Sequence, residues 1–329
     1  MDRKIGICIV GYGGFGRKLH GYLSKMDECE VKYLYHPNKE KALLYGELGC
    51  WDLEKILADD SVDAFVIATP NDQHFKMLGE LLFLNKHHIF VEKPMVVSYA
   101  EALALPQLVE MHTKVLMVGH CYRRESVYRK AKELLDAGTI GKIVNINFNY
   151  SSPKAFTIRE NDWRASATRN DLGPLAMVGS HCIDTVHYLF GKAESVYAQL
   201  RNLSGKTEAP DTSSVMMNME NGATVFLQCH YNVPGEKYCF ISGTEGGIYV
   251  ERDKIWLRLG REAYKSAPSE KKELTVAKVD PIEEELKEFL DAIRTGREVE
   301  TGYQEGLEVV RVLEACRKSA KENKVIRLP

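Results

Sequence analysis

The chain lacks a basic excess: its 329 residues carry 44 Lys and Arg against 46 Asp and Glu, a net charge of −2. Proteins that grip nucleic acid by its phosphates carry a surplus of cations, so nucleic acid is not an expected partner. No apolar run approaches the roughly 20 residues needed to cross a bilayer, so no membrane partner is expected either. The opening residues, Met1 to Cys8, are too short and too broken by Gly6 for a secretory signal and read as a first strand. Eight cysteines fall at 8, 29, 50, 121, 182, 229, 239 and 316, none spaced as Cys-x-x-Cys. That spacing gives neither a disulfide frame nor a zinc site. Free buried thiols in a reducing cytoplasm are expected. Internal repeats and low-complexity segments are also absent.

What is present is ordinary globular material, 44% hydrophobic and 27% charged, long enough for about two domains. Residues 1–121 alternate short β-branched runs with helical patterns. The runs are 5–10, 31–35, 64–68, 88–91 and 115–118; helical stretches lie at 73–84 and 98–111. This alternation predicts βαβ units and a doubly wound parallel sheet. Residues 122–329 change character. Strands are expected at 145–150, 213–219, 223–228, 238–242, 247–250 and 254–259, with Asn221-Gly222 marking a hairpin. This half is expected to be α+β, with a large, mostly antiparallel sheet. The segment 266–272 reads as a polar exposed loop. Asp280-Pro281-Ile282-Glu283 is a helix start, and a last helix spans about 305–321.

Gly11-Tyr12-Gly13-Gly14-Phe15-Gly16 fits G-x-G-x-x-G between a strand and a helix. Gly11 permits the turn, Gly13 and Gly14 let backbone approach a pyrophosphate, and Gly16 lets helix pack on strand. The pyrophosphate then meets a helix N-terminus beside Phe15. The usual ribose-reading carboxylate at the end of the second strand is missing; His36, Asn38 and Lys39 stand there instead. A protonated His36 or Lys39 suits a 2′-phosphate, which leans the choice between NAD and NADP toward NADP. If His36 only stacks or hydrogen-bonds, either cofactor binds. Further candidates follow the later strands: Thr69, Pro70 and Asn71 with His74, then Glu92, Lys93 and Pro94. Ligands of open α/β sheets bind at these carboxyl ends. His74 and His120 lack the companions of a metal shell, so no metal is expected.

In this order these motifs resemble the Gfo/Idh/MocA family, the relatives of glucose–fructose oxidoreductase and inositol dehydrogenase. The resemblance continues through Val118 to Arg123, Trp163-Arg164, Leu172 to Leu175, Gly179-Ser180-His181, Asp184, Gly302 to Gly306 and the closing 325–329. It implies a Rossmann domain binding NAD(H) or NADP(H) and a second domain whose sheet covers the nicotinamide and often forms a dimer or tetramer interface. The implied reaction moves hydride to or from a carbinol carbon of a sugar, polyol or sugar derivative, a small-molecule substrate. Lys93 is the implied catalytic residue, in a Lys-Pro bond that is often cis. A desolvated lysine beside a cationic nicotinamide has a lowered pKa and suits proton transfer from the hydroxyl.

His181 is the second acid–base candidate. The family places an aspartate four residues before it; here Met177 stands there. Methionine neither accepts a proton nor holds an imidazolium. Either Lys93 and His181 suffice, with Tyr122 as a third participant, or the chemistry departs from the usual. Tyr122, Arg123, Trp163 and Asp184 are substrate-binding candidates. Asp184 binds a hydroxyl or anchors its helix. Trp163 offers a stacking plate, and Arg123 and Arg164 offer forks for an anionic group on cofactor or substrate; Arg164 is assigned to the cofactor. Two other functions stay open: a glycoside hydrolase that works by transient oxidation and elimination with retained NAD, and a non-catalytic NADP(H)-binding redox sensor.

Overall fold

The computed structural model describes residues 3–260 and 270–328, and the chain divides into two compact units. The first comprises the residues up to His120 together with Ile282–Val310; the second comprises Cys121–Pro281 and the residues from Arg311. The sequence reading cuts the chain once, at 121/122; here Ile282–Val310 groups with the first unit.

The first unit's sheet has six parallel strands: β1 (Ile5–Val10), β2 (Cys29–Tyr35), β3 (Gly49–Cys50), β4 (Ala64–Ile67), β5 (His88–Val91) and β6 (Leu116–Val118). Their order, β3-β2-β1-β4-β5-β6, is the doubly wound order, with its topological switch between β1 and β4. Every residue of β1 and β4 is buried, as parallel strands covered on both faces require. Six helices belong to this part of the chain: α1 (Gly14–Leu23), α2 (Lys39–Leu43), α3 (Leu53–Ala58), α4 (His74–Leu84), α5 (Tyr99–Leu103) and α6 (Pro106–Met111). The helix expected over 98–111 is two helices. Ser98 and Glu101 form a capping box that starts α5, and Pro106, which has no N–H to donate, opens α6.

The later segment joins this unit by specific contacts. Thr301 accepts the Val118 N–H at 2.7 Å, and its hydroxyl donates to the Val118 carbonyl at 2.8 Å, so the edge of β6 is paired. Tyr303 donates to the Ala102 carbonyl at 2.9 Å, and Phe289 meets Phe90 edge-on at 5.7 Å. Phe289 sits on α9 (Pro281–Thr295), numbered after α7 (Ser126–Asp136) and α8 (Ser180–Phe190) of the second unit; α10 is Tyr303–Glu322.

The second unit holds a nine-stranded sheet ordered β14-β13-β12-β11-β7-β10-β9-β8-β15. Its strands are β7 (Ile143–Ser151), β8 (Ala193–Arg201), β9 (Thr212–Met219), β10 (Thr224–His230), β11 (Glu236–Gly243), β12 (Gly246–Glu251), β13 (Lys254–Leu259), β14 (Lys272–Leu274) and β15 (Ile326–Arg327). All pairings are antiparallel except β7 with β10. The β9–β10 hairpin turns through Glu220, Asn221 and Gly222, with Gly222 at φ 85°, a conformation glycine adopts without strain. In β9 and β10 buried residues alternate with exposed ones, so one face of this part of the sheet meets solvent. Residues 266–269 of the loop expected at 266–272 lie outside the described residues, and Lys272 begins β14.

Among the described residues all eight cysteines are buried and unbridged. No helix among them is long and apolar enough to cross a membrane, and no cluster of three or more His, Cys, Asp or Glu side chains is arranged for a metal ion.

Candidate active site

In the first unit the candidates gather at the carboxyl ends of β1, β2, β4 and β5. Gly11 has φ 93°, and a Cβ there would lie 2.8 Å from the Thr69 nitrogen. A Cβ on Gly16 would lie 2.0 Å from the Gly11 carbonyl oxygen, so only glycine lets α1 start this close to β1. Gly13 and Gly14 are the opposite case. Both are exposed, and beyond their immediate chain neighbours and α1's own backbone no described atom lies within 4 Å of a Cβ built on them; the first turn of α1 carries no acidic side chain and no side-chain cap. Free N–H groups at an open helix start are the cradle a pyrophosphate needs. Two buried side-chain oxygens nearby in the fold also have no hydrogen-bond partner among the described residues: Thr69 Oγ1 after β4 and Glu92 Oε1 after β5. The residues present therefore fit a dinucleotide.

His36 corrects one step of the sequence argument. Its Nδ1 accepts the Asn38 N–H at 2.9 Å, which the doubly protonated ring does not do. Burial, followed by the nearby Lys41, lowers its pKa, against the opposing effect of the Asn38 contact. Lys39 has its ammonium 4.7 Å from the Trp51 ring, and Asn38 caps α2. The His36 hydrogen bond and its lowered pKa both disfavour the protonated ring that a 2′-phosphate would pair with.

His74 is fully buried at the start of α4. One ring nitrogen lies 3.1 Å from the Thr69 carbonyl and the other 2.9 Å from the Pro94 carbonyl. It ties the loop after β4 to the loop after β5. Between them stands Lys93, half-buried, in a cis peptide bond to Pro94. Glu92 beside it is buried, and burial pushes its carboxyl up to about 7, against the opposing pull of the Lys93 charge. Gly119 leaves the room this carboxyl occupies: a Cβ there would sit 2.9 Å from Glu92 Oε1. Asn71 is buried next to Pro70, which precedes a short 3-10 turn.

In the second unit, Tyr122 and His181 come together. Their rings stack with centroids 4.1 Å apart and planes 7° apart. Tyr122 also tilts against Tyr150 at 5.8 Å, and burial raises its phenol pKa strongly. Arg123 and Asp184 face each other. The guanidinium donates to both carboxylate oxygens, at 3.0 and 2.5 Å, in a pair that is almost wholly buried. Of the two roles open for Asp184, this geometry is that of an anchor for α8. Trp163 and Arg164 form a pair of their own on a 3-10 turn. Arg164 lies 4.8 Å over the Trp163 ring and donates to both oxygens of Asp162 at 3.1 Å.

Met177 lies in a five-residue π-helix, Leu175–Gly179, that runs into α8. The four-residue step from Met177 to His181 therefore crosses a change of helix type and is not one α-helical turn. Such π segments recur at functional sites.

Sequence reasoning missed two residues beside this group. Lys237 donates to both oxygens of Glu125, at 2.6 and 2.7 Å, and its ammonium lies 4.2 Å from the Tyr122 ring centroid. Glu125, Lys237, Tyr150, Lys154 and Tyr231 help line a cavity of about 800 Å³, the size of a small-ligand pocket.

Residues 5–120 match a family described as "Oxidoreductase family, NAD-binding Rossmann fold", and residues 128–249 match the GFO/IDH/MocA C-terminal domain. Among curated relatives, the scyllo-inositol 2-dehydrogenase (NADP(+)) IolW of Bacillus subtilis is 25% identical over 98% of this chain and 96% of its own. The 2,7-anhydro-N-acetylneuraminate hydratase of Escherichia coli is 25% identical over 77% of this chain and 69% of its own. Among solved structures, a levoglucosan dehydrogenase in complex with NADH shares the fold with a TM-score of 0.88, at 22% identity, over 99% of this chain and all of its own.

Proposed function

Because the chain belongs to the Gfo/Idh/MocA family of NAD(P)-dependent oxidoreductases, we propose that it transfers hydride between NAD(P) and a carbinol or carbonyl carbon of a sugar, polyol or sugar derivative. The observation that carries this reading is the set of groups at one end of the parallel sheet: an open glycine cradle at α1, and Lys93 held half-buried by the loop after β5. The bound dinucleotide supplies or takes the hydride. Gly13 and Gly14 offer N–H groups to its pyrophosphate; Thr69, Asn71 and Glu92 offer polar groups to the remainder. Lys93 and His181 handle the hydroxyl proton: in oxidation one of them takes it as the C–H bond gives up hydride, and in reduction one returns it. Tyr122, Arg123, Trp163 and Asp184 belong to the substrate side of this reading, Arg123 and Asp184 by positioning.

NADP is the favoured cofactor. The end of β2 carries no carboxylate to repel a 2′-phosphate, and Lys39 and Lys41 stand close by in sequence. Titrating the protein with NADPH and NADH is expected to give the tighter dissociation constant for NADPH, by about tenfold, the discrimination worth roughly 1.4 kcal/mol. A panel of polyols and sugars with NADP⁺ is expected to give absorbance at 340 nm with at least one member. Failure of both dinucleotides to bind overturns the enzyme reading.

A second reading has its own support. Met177 stands where the family resemblance implies an aspartate, and a relative described above is named a hydratase. Oxidation, elimination of the leaving group, addition of water to the resulting double bond and re-reduction would turn over a glycoside or anhydro sugar with no net NAD(P)H. Release of free sugar at constant absorbance at 340 nm selects it.

Self-association and a cytoplasmic location belong to the same proposal. The eight buried thiols suit a reducing compartment. Across the second unit's sheet, Tyr197, Met216, Phe226, Asn147, Phe240, Tyr249 and Trp256 stand in one cross-strand row. Phe226 in this row is 38% exposed. A row of aromatic and apolar side chains on a solvent-facing sheet suits burial against a second copy. Light scattering is expected to give a dimer or tetramer, and Phe226→Glu to shift it toward monomer.

A further inference from the structure

On β11, Lys237, Cys239 and Ile241 share one face, and Cys239 and Ile241 are fully buried. Their partners on β7 are Tyr150, Phe148 and Ile146, the last two also buried. An ammonium in this row loses much of its hydration, a cost that only pairing offsets, and an apolar side chain of similar length would fill the place at less cost. The two hydrogen bonds to Glu125 supply the pairing. They also fix the ammonium 4.2 Å from the Tyr122 ring centroid, with Tyr128 at 5.7 Å and Tyr150 at 5.8 Å. A cation attracts the electron-rich face of a neutral ring. Burial keeps the Tyr122 phenol neutral. His181 lies flat against Tyr122 and takes one face of that ring, which leaves the other for the ammonium.

We infer that Lys237, fixed by Glu125, is a positioning residue that clamps the Tyr122 ring and thereby holds the His181 imidazole in one plane. Glu125 and Lys237 also line the cavity of about 800 Å³, so the clamp forms part of the wall of a ligand-sized space. Its catalytic importance rests on the reading of His181 as an acid–base residue; the clamp itself does not.

The test uses the full-length protein with ¹³C-labelled histidine, alongside steady-state kinetics on whichever substrate the polyol panel yields. The His181 resonance is assigned by its loss in His181→Ala. Because the Tyr122 ring covers it, its Cε1–H signal is expected upfield of an ordinary histidine. Lys237→Met is expected to move that signal downfield. It is also expected to lower kcat about tenfold, with KM and the NADPH dissociation constant changed less than about threefold, as displacement of a catalytic group does. Lys237→Arg, which keeps the charge and the pairing, is expected to restore kcat to within about threefold. If Lys237→Met does not fold, Glu125→Gln, which loosens the ammonium without removing it, is expected to move the signal the same way. An unmoved His181 signal in a folded variant overturns the clamp, whatever happens to thermal stability. A moved signal with wild-type kcat, in a protein where His181→Ala does lower kcat, overturns its part in turnover. Wild-type kcat in His181→Ala itself refutes the acid–base reading and leaves the clamp to the resonance alone.

Discussion

Replacing Lys93 by methionine is expected to lower kcat by about 10²–10⁴-fold, the contribution of a positioned general acid or base, while the NAD(P)H dissociation constant shifts less than about threefold. Methionine matches the length of the lysine stem and removes only the ammonium. The fold has a way to absorb that loss. Glu92 is buried beside Lys93, its carboxyl pushed up to about 7 by burial and held from rising further chiefly by the Lys93 charge. Without the ammonium the Glu92 pKa rises above that value. The carboxyl then stays protonated at pH 7 and leaves no uncompensated buried anion. Infrared titration of the Glu92 carboxyl, assigned through Glu92→Gln, is expected to show this upward shift in Lys93→Met. Unchanged turnover removes Lys93 from the chemistry. Equal loss of turnover and of dinucleotide affinity makes it part of the cradle instead. The two carboxyl-end loops are joined by His74, which touches both, so Lys93 has a built support that does not depend on its own charge.

The parallel half of the molecule was legible because its strands are apolar runs bounded by turn residues. The runs read at 5–10 and 88–91 are the strands β1 and β5 residue for residue. The glycine loop was legible for a different reason: Gly11 and Gly16 stand where backbone conformation or a carbonyl 2.0 Å away admits no side chain. What escaped was whatever depends on pairing across the chain. The two residues of β3 form no run, and β8 breaks its apolar pattern with Glu194, Gln199 and Arg201. Lys237 looked like a polar residue just before a strand. Its meaning comes from register against Tyr150 and from Glu125, 112 residues earlier. The π-helix before α8 escaped because counting four residues assumes an α-turn. The second unit's sheet, with its mostly antiparallel pairing, followed from alternation and from the Asn221-Gly222 turn, which bends through three residues.

The Arg123–Asp184 pair carries the other large expected effect, and its sign depends on how it is broken. Both side chains are almost wholly buried, and the guanidinium fork meets both carboxylate oxygens. Removing one partner takes from the other, a buried charge, the bidentate pairing seen here, which costs about 3–5 kcal/mol. Arg123→Met alone, or Asp184→Leu alone, is therefore expected to lower the melting temperature by roughly 10 °C, given about 2–4 °C per kcal/mol for a unit of this size. The double variant Arg123→Met/Asp184→Leu leaves no orphaned charge, and removing a buried pair whole is often near neutral. It is expected to recover most of that loss, a coupling that a thermal double-mutant cycle reads directly. Activity is expected to follow a different course. Arg123 adjoins Tyr122, and Asp184 lies one helical turn beyond His181, so the pair fixes the backbone under both stacked rings. Restoring stability with apolar side chains does not restore that directional fork. The double variant is expected to melt near the wild type yet turn over more slowly. Equal recovery of stability and turnover would mean that the pair only fills space. Two single variants with wild-type melting temperatures would mean that water reaches the pair in solution and the burial seen here does not govern its energetics.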